Sequence, residues 1–386
     1  MPVDYLGLRQ QAKEAAGKAG AELELVKLRR AEAGALLSQH ANNLEDIRNK
    51  VRAAAAADPR LRCAIPTTEP LDQPQPEPAV PETFTLIASD GSQINPNNHE
   101  PMHYFLINLG AIEFLGGTNA APKVHTRTDL HFAEYTTSGS VTEEQVNLKR
   151  DKGERLLLAE LAAQASGSPI ITLNDGPLEL WGDKLTNTSE SQSFSEDLAE
   201  YLLALDELHK VGSATAGYVD KPRADLLVRM LEVVHGSPAG RPFRGVTDAM
   251  LLKNILGFGE RSAVFAVQSQ SAARYTEHRA LHFFYLNVGR VTPWLARVET
   301  PAWVAGDKQQ LDSLHAVLVE QTKILGAHAY PYVLHRAHEI ALVKFEEHEQ
   351  VSNMLISEMR DLGIQPGELS QKAAAKRMRG RRRHNP

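Results

Sequence analysis

Cysteine is almost missing from this chain of 386 residues. Cys63 stands alone, which excludes an intramolecular disulfide and a cysteine-based zinc site and fits a reducing compartment. Long apolar runs are missing too: none approaches the ~18 residues that a membrane span requires, and Met1 to Gly20 is too polar for a secretory signal. The expectation is a cytoplasmic protein without a membrane partner. What is present, 42% hydrophobic and 23% charged residues, suits a soluble globular chain with one large core or two smaller ones. The formal net charge of −6 argues weakly against nucleic acid. Its distribution is uneven, however, because acidic residues are absent from Lys372 to Arg383, KAAAKRMRGRRR. That tail reads either as a phosphate-binding arm or as a solvated terminus.

Tyr5 to Ala57 lacks proline and carries apolar residues at helical spacing, Leu23, Val26, Leu37, Ile47 and Val51 among them. It predicts a long helix or helical hairpin, with a break near Gly17 to Gly20, serving as a packing or oligomerising arm over residues 1–62. Pro66, Pro70, Pro74, Pro76, Pro78 and Pro81 then mark residues 63–82 as an extended spacer that excludes helix and sheet. The catalytic domain is expected over 83–345, with a C-terminal helix and the basic tail over 346–386.

Two apolar, strand-like runs end in the same way. Thr83 to Gln93, TFTLIASDGSQ, stops at Asp90-Gly91, and Ser168 to Leu178, SPIITLNDGPL, stops at Asp175-Gly176. A lone Asp-Gly is first of all a turn. Two such strands side by side would bring two carboxylates together, and their repulsion calls for a shared proton or a hard divalent cation. Between them, Thr142 with Gln145 predicts a capping box and a helix over about Glu143 to Ala165. On that helix Glu154 shares the stripe of Leu157, Leu158 and Leu161, whereas Glu160 points about 100° away from Leu161. Glu154 is therefore the choice for a third acidic ligand and Glu160 for the surface.

Gly182 to Ser195 reads as a polar loop. Ala214 to Val219 reads as a strand delivering Lys221 and Arg223, which are placed to hold phosphate or simply lie exposed in a loop. Near the C-terminus, AYPYVLHRAHEIALVKF puts Tyr330 just before a helix started by Pro331. On that helix His338 shares a face with Leu334, Ala341, Leu342 and Phe345, the usual setting of a buried structural histidine, a reading that loses ground here because of the motifs that accompany it.

In their order along the chain, ASDGS at 88–92, NDGPL at 174–178, GYVDKPR at 217–223, GFGERSAVF at 257–265, FFYLNVG at 283–289, ARVETP at 296–301 and AYPYVLHRAH at 329–338 resemble the NurA family of nucleases. The resemblance implies an α/β fold with a ribonuclease-H-like mixed sheet flanked by helices. It implies a Mn²⁺- or Mg²⁺-dependent deoxyribonuclease, a 5′–3′ exonuclease with single-strand endonuclease activity, acting in DNA end resection and double-strand break repair. It also implies DNA, a HerA-like hexameric ATPase and a second copy of the chain as partners. Asp90 and Asp175 fall on the family's two Asp positions, and Tyr330 and His338 on its Tyr and His. Glu154 is assigned by the helix-face argument. Asp90, Glu154, Asp175 and His338 are then the metal ligands, Tyr330 contacts base or phosphate, and Lys221 and Arg223 hold the backbone. Two other classes use the same features: a non-catalytic dimeric adaptor of a DNA-motor ATPase, distinguished by metal-dependent cleavage, and a small-nucleotide phosphohydrolase, distinguished by substrate length. The helical arm, proline segment and basic tail lie outside the family pattern.

Overall fold

The computed structural model describes residues 4–97, 103–132, 141–182, 188–237, 239–326 and 329–363. Within these the chain forms α1 (Tyr5–Gln39), α2 (Leu44–Ala57), β1 (Cys63–Pro66), β2 (Phe84–Ile94), β3 (Tyr104–Gly116), β4 (Lys123–Phe132), α3 (Glu143–Gln164), β5 (Ile170–Asp175) and α4 (Thr188–Lys210). It continues with β6 (Ala214–Val219), α5 (Leu226–Val234), α6 (Asp248–Leu252), β7 (Phe265–Gln268), β8 (Leu281–Asn287), β9 (Leu295–Pro301), α7 (Ala302–Ala305), α8 (Lys308–Ile324), α9 (Tyr332–Ala341) and α10 (Phe345–Asp361). The fold is mixed α/β and divides into two units, each assembled from separate stretches of chain. None of the described helices is long and apolar enough to cross a membrane.

The first unit holds residues 1–80, 176–178 and 216–330. Its strands lie in the order β1, β7, β8, β9, β6, each antiparallel to its neighbour. The arm is built into this core: Ala33, Leu37, Ile47, Val51 and Leu61 are buried with Leu227, Leu231, Phe265 and Phe283. Glycine does not break α1, which runs unbroken through Gly17 and Gly20. A solvent-facing glycine costs only about 1 kcal/mol, less than a long helix recovers. The break falls at residues 40–43 instead, ahead of the α2 N-cap Asn43.

The proline-rich segment is extended, as its composition dictates, but it is no free spacer. Cys63 to Pro66 pairs with Phe265 to Gln268, Leu71 is buried, and Arg261 grips Glu69 through two hydrogen bonds of 2.7 and 2.8 Å. Pro66 is tolerated because β1 is the outermost strand of this unit's order, where a missing N–H leaves no ladder bond unmade.

The second unit holds residues 81–175, 179–215 and 331–386. Its strands run β5, β2, β3, β4; β2, β3 and β4 form an antiparallel meander, and β5 pairs parallel with β2. A meander followed by a crossover helix and a parallel strand beside the first is the ribonuclease-H-like arrangement. The crossover helix is α3, opened by the expected box: Thr142 Oγ accepts from Gln145 N–H, and Gln145 Oε1 accepts from Thr142 N–H. Part of the expected polar loop is helical, since α4 begins at Thr188; 183–187 and the basic tail lie outside the described residues.

Candidate active site

β2 does not stop at Asp90. It pairs with β3 along its whole length, Asp90 opposite Gly110 and Gly91 opposite Leu109, so Asp90 is a mid-strand residue on that side. Only toward β5 does the ladder end, at Ser89 opposite Asn174, which leaves Asp90 and Asp175 each one step beyond the last pair on neighbouring parallel strands. Gly91 is therefore no turn residue. A Cβ there would stand 2.6 Å from Arg150 Cγ and 2.8 Å from Glu154 Oε1, so the missing side chain is what lets α3 lie against the strand. Ser89 Oγ donates to the Glu154 carbonyl at 2.9 Å and fastens the two.

Glu154 is 3% exposed. Glu160 is on the outer surface, where Arg127 donates to it at 2.5 Å. Burial pushes the Glu154 carboxyl well above the usual carboxylate range; Arg155 and Arg150 oppose this, and Asp151 and Asp90 add to it. Arg150, four residues earlier on the same face, places Nε 3.3 Å from Glu154 Oε1 and donates to Asp151 at 2.7 Å. Burial works to lower the Arg150 pKa, but its pairing with Asp151, Glu154 and Asp90 outweighs this and raises it. Sequence reasoning missed Arg150; the i, i+4 relation to Glu154 was the available signal.

α9 brings the histidine. Its C-terminal end is pinned by Ser92 Oγ and Asn108 Nδ2, both donating to the Ala341 carbonyl at 2.5 and 2.8 Å. Gly110 makes room for it, since a Cβ there would meet Ala341 N at 2.5 Å. Val333, Leu334, Ala337 and Ala341 form the buried face, and His338 is not on it: its side chain is 59% exposed and turned to Asp90. His338 Nδ1–H donates to Asp90 Oδ2 at 2.7 Å, because an ionised carboxylate can only accept. With Nδ1 as the donor in that bond, a neutral ring would carry its lone pair on Nε2.

Asp90, Glu154 and His338 thus come together, and Asp175 follows from the strand register with an exposed side chain. The turn after Asp175 needs glycine, Gly176 having φ +91, and is held by Gly176 N–H on the Tyr218 carbonyl at 2.8 Å and Leu178 N–H on Glu299 Oε2 at 2.9 Å. Tyr330, Lys221 and Arg223 belong to the first unit. Tyr330 meets Tyr218 edge to face at 5.5 Å; Lys221, at φ +47, and Arg223 are exposed.

As the side chains stand, no group of three or more His, Cys, Asp or Glu among the described residues is arranged to hold a metal ion. Asp90 Oδ2 is taken up by His338, and Arg150 lies on Glu154. The donor set nonetheless fits a hard divalent cation: oxygen ligands and one imidazole, with a buried carboxyl whose ionisation is opposed by burial and by Asp90.

A family model for the NurA domain matches residues 84–343. The chain belongs to the NurA family. All seven residues singled out from the sequence fall inside the match, whereas α1, α2 and β1 lie outside it. A NurA crystal structure is similar at 11% identity and TM-score 0.46, covering 91% of this chain and 98% of that one. A crystal structure of NurA with manganese is similar at 12% identity and TM-score 0.46, covering 90% and 98%. One of NurA bound to dAMP and manganese is similar at 11% identity and TM-score 0.38, covering 82% and 94%. No curated protein matches. NurA membership supports a nuclease-type role.

Proposed function

We propose that this NurA-family chain is a Mn²⁺- or Mg²⁺-dependent deoxyribonuclease, a 5′–3′ exonuclease with single-strand endonuclease activity that trims DNA ends in double-strand break repair. The observation that carries the reading is the bond from His338 Nδ1 to Asp90, set beside buried Glu154 and in register with Asp175. Asp90, Glu154, Asp175 and His338 would hold the ion. When bound, the ion supplies an activated water and neutralises charge on the scissile phosphate. Asp90 orients the imidazole; His338 Nε2 accepts a proton or ligates; Tyr330 contacts base or phosphate; Lys221 and Arg223 hold the backbone. Family membership supports DNA, a HerA-like hexameric ATPase and a second copy of the chain as partners.

The test is digestion of end-labelled linear DNA with Mn²⁺, with EDTA and with Asp90→Ala, each with and without the ATPase. The expected result is cleavage that requires both the metal and Asp90. Cleavage by Asp90→Ala at the wild-type rate would overturn the site, and no cleavage under any condition would overturn the nuclease. The second outcome would favour a non-catalytic adaptor, a reading to which the exposed Leu6, Leu23 and Leu28 of α1 lend support as a docking surface.

A further inference from the structure

The first unit contains a cavity of about 550 Å³ lined by residues that include Asp220, Arg290, Thr292, Trp294, Thr322 and Tyr330. Its volume is in the range of small-ligand sites, and one wall is a large aromatic surface left in water, Trp294 at 38% exposure. That wall is held rigidly. Trp294 Nε1–H donates to Asp220 Oδ1 at 2.7 Å, and the backbone N–H of Trp294 donates to Asn287 Oδ1 at 3.0 Å. Buried Asn287 also accepts from Gly289 N–H at 3.1 Å, and Val288 N–H donates to the Trp294 carbonyl at 2.9 Å. Gly289 is obligatory here, because a Cβ would stand 2.0 Å from the Thr292 carbonyl oxygen. Cations flank the wall: Lys221 Nζ lies 5.8 Å from the indole centroid, and the exposed Arg290 guanidinium sits 5.4 Å over Phe258.

A preset indole, a tyrosine on the same cavity and two exposed cations are the chemistry that recognises a nucleobase with its phosphate. Asp220 holds the indole edge through the Trp294 N–H and stands against two exposed cations, Lys221 and Arg290, on the same wall. We infer that this cavity is a subsite for one unstacked nucleotide of a single strand, with the base on Trp294 and the phosphate on Arg290 and Lys221. The inference rests on the nuclease reading for its substrate class. A base within a duplex has both faces covered by its neighbours and does not enter.

The test is fluorescence anisotropy of the full chain in EDTA with labelled oligothymidylate, with an abasic strand of equal length and with a duplex. Trp294→Ala is expected to weaken oligothymidylate binding about ten-fold, to leave the abasic strand and the duplex unchanged, and to be rescued by Trp294→Phe. Unchanged oligothymidylate binding by Trp294→Ala, or equal weakening of the abasic strand, would overturn the subsite. Should Trp294→Ala fail to fold, indole emission decides: oligothymidylate should quench the wild type and quench Trp294→Phe less. An unquenched wild type, or equal quenching of the two, would overturn it. Digestion with Mn²⁺ on the same preparations keeps the two readings apart. A wild type that binds through Trp294 without cutting loses the nuclease and keeps the subsite, and one that cuts without using Trp294 does the reverse.

Discussion

Glu154 and Glu160 are six residues apart on one helix and sit in opposite environments, one buried against Asp90 and Arg150, the other salt-bridged to Arg127 at the surface. On the nuclease reading, Glu154→Gln should lower Mn²⁺-dependent cleavage at least about 100-fold, by removing one ligand charge. Glu160→Gln should stay within about two-fold, because an exposed pair contributes little. Comparable losses in the two variants would sink the assignment of the helical ligand. The distinction was legible in sequence because apolar spacing at 3.6 residues fixes the inward face of a helix whatever its charge. Gly91 was not legible in the same way. Asp-Gly is a turn signal locally, and only α3, arriving from some sixty residues later, makes Gly91 a close-approach residue within a continuing strand. The place of His338 beside Asp90 follows from the resemblance and not from spacing: a ten-residue helix has room for both a buried face and a neighbouring exposed one, and the spacing to Leu334 and Ala341 did not separate them.

At the scale of elements, α9 depends on a strand that lacks a side chain where it crosses, β3 at Gly110. Gly110→Ala would drive a methyl into the Ala341 backbone, which cannot move aside without breaking the bonds from Ser92 and Asn108. The expected cost is about 1–3 kcal/mol in urea unfolding, together with loss of cleavage as His338 is displaced. An unchanged unfolding midpoint would show that α9 is not seated as described. The two halves of the N-terminal arm should also behave differently. Leu37→Ala removes a fully buried side chain and should cost about 2–5 kcal/mol, whereas Leu28→Ala, 64% exposed, should stay within about 0.5 kcal/mol. Equal effects would mean that the outer half of α1 is covered in solution. The sequence gives the helical character of this arm directly. That its second half belongs to a core depends on partners near residues 226–283, which no local window contains.

Over the whole molecule, stability against pH should reflect two buried groups that work in opposite directions. Burial pushes the His315 imidazole down to about 4, its Nε2 lying 2.7 Å from the Gly259 carbonyl. Burial pushes Asp248 up to about 6, against the bonds it accepts from Leu227 N–H, Val228 N–H and Tyr285 Oη–H. The histidine's contribution is fully present above its unfolded value near 6.5 and is lost as pH falls toward 4. The aspartic acid's contribution is fully present below 3.8 and is lost as pH rises through about 6. Between about pH 4 and 6 the two largely offset, each being on the order of 3 kcal/mol. Urea unfolding of His315→Gln across this window should show stability that declines with rising pH more steeply than in wild type, and Asp248→Asn should show the reverse tilt. Parallel curves for all three proteins would exclude both assignments.

The pairing of β1 with β7 also sets an order of events during synthesis. Arg62, at the edge of β1, reaches Ser269, a partner 207 residues further along the chain. As the chain leaves the ribosome, the β2–β3–β4 meander, α3 and β5 contain most of their own partners and can begin to close early. The α1–α2 arm emerges before the meander yet meets the strand that pairs with β1 only after the meander is complete. Until α5 and then β7 are made, its buried leucines lack most of the core they enter, and this segment is exposed to proteases and to chaperones for longer than the meander is.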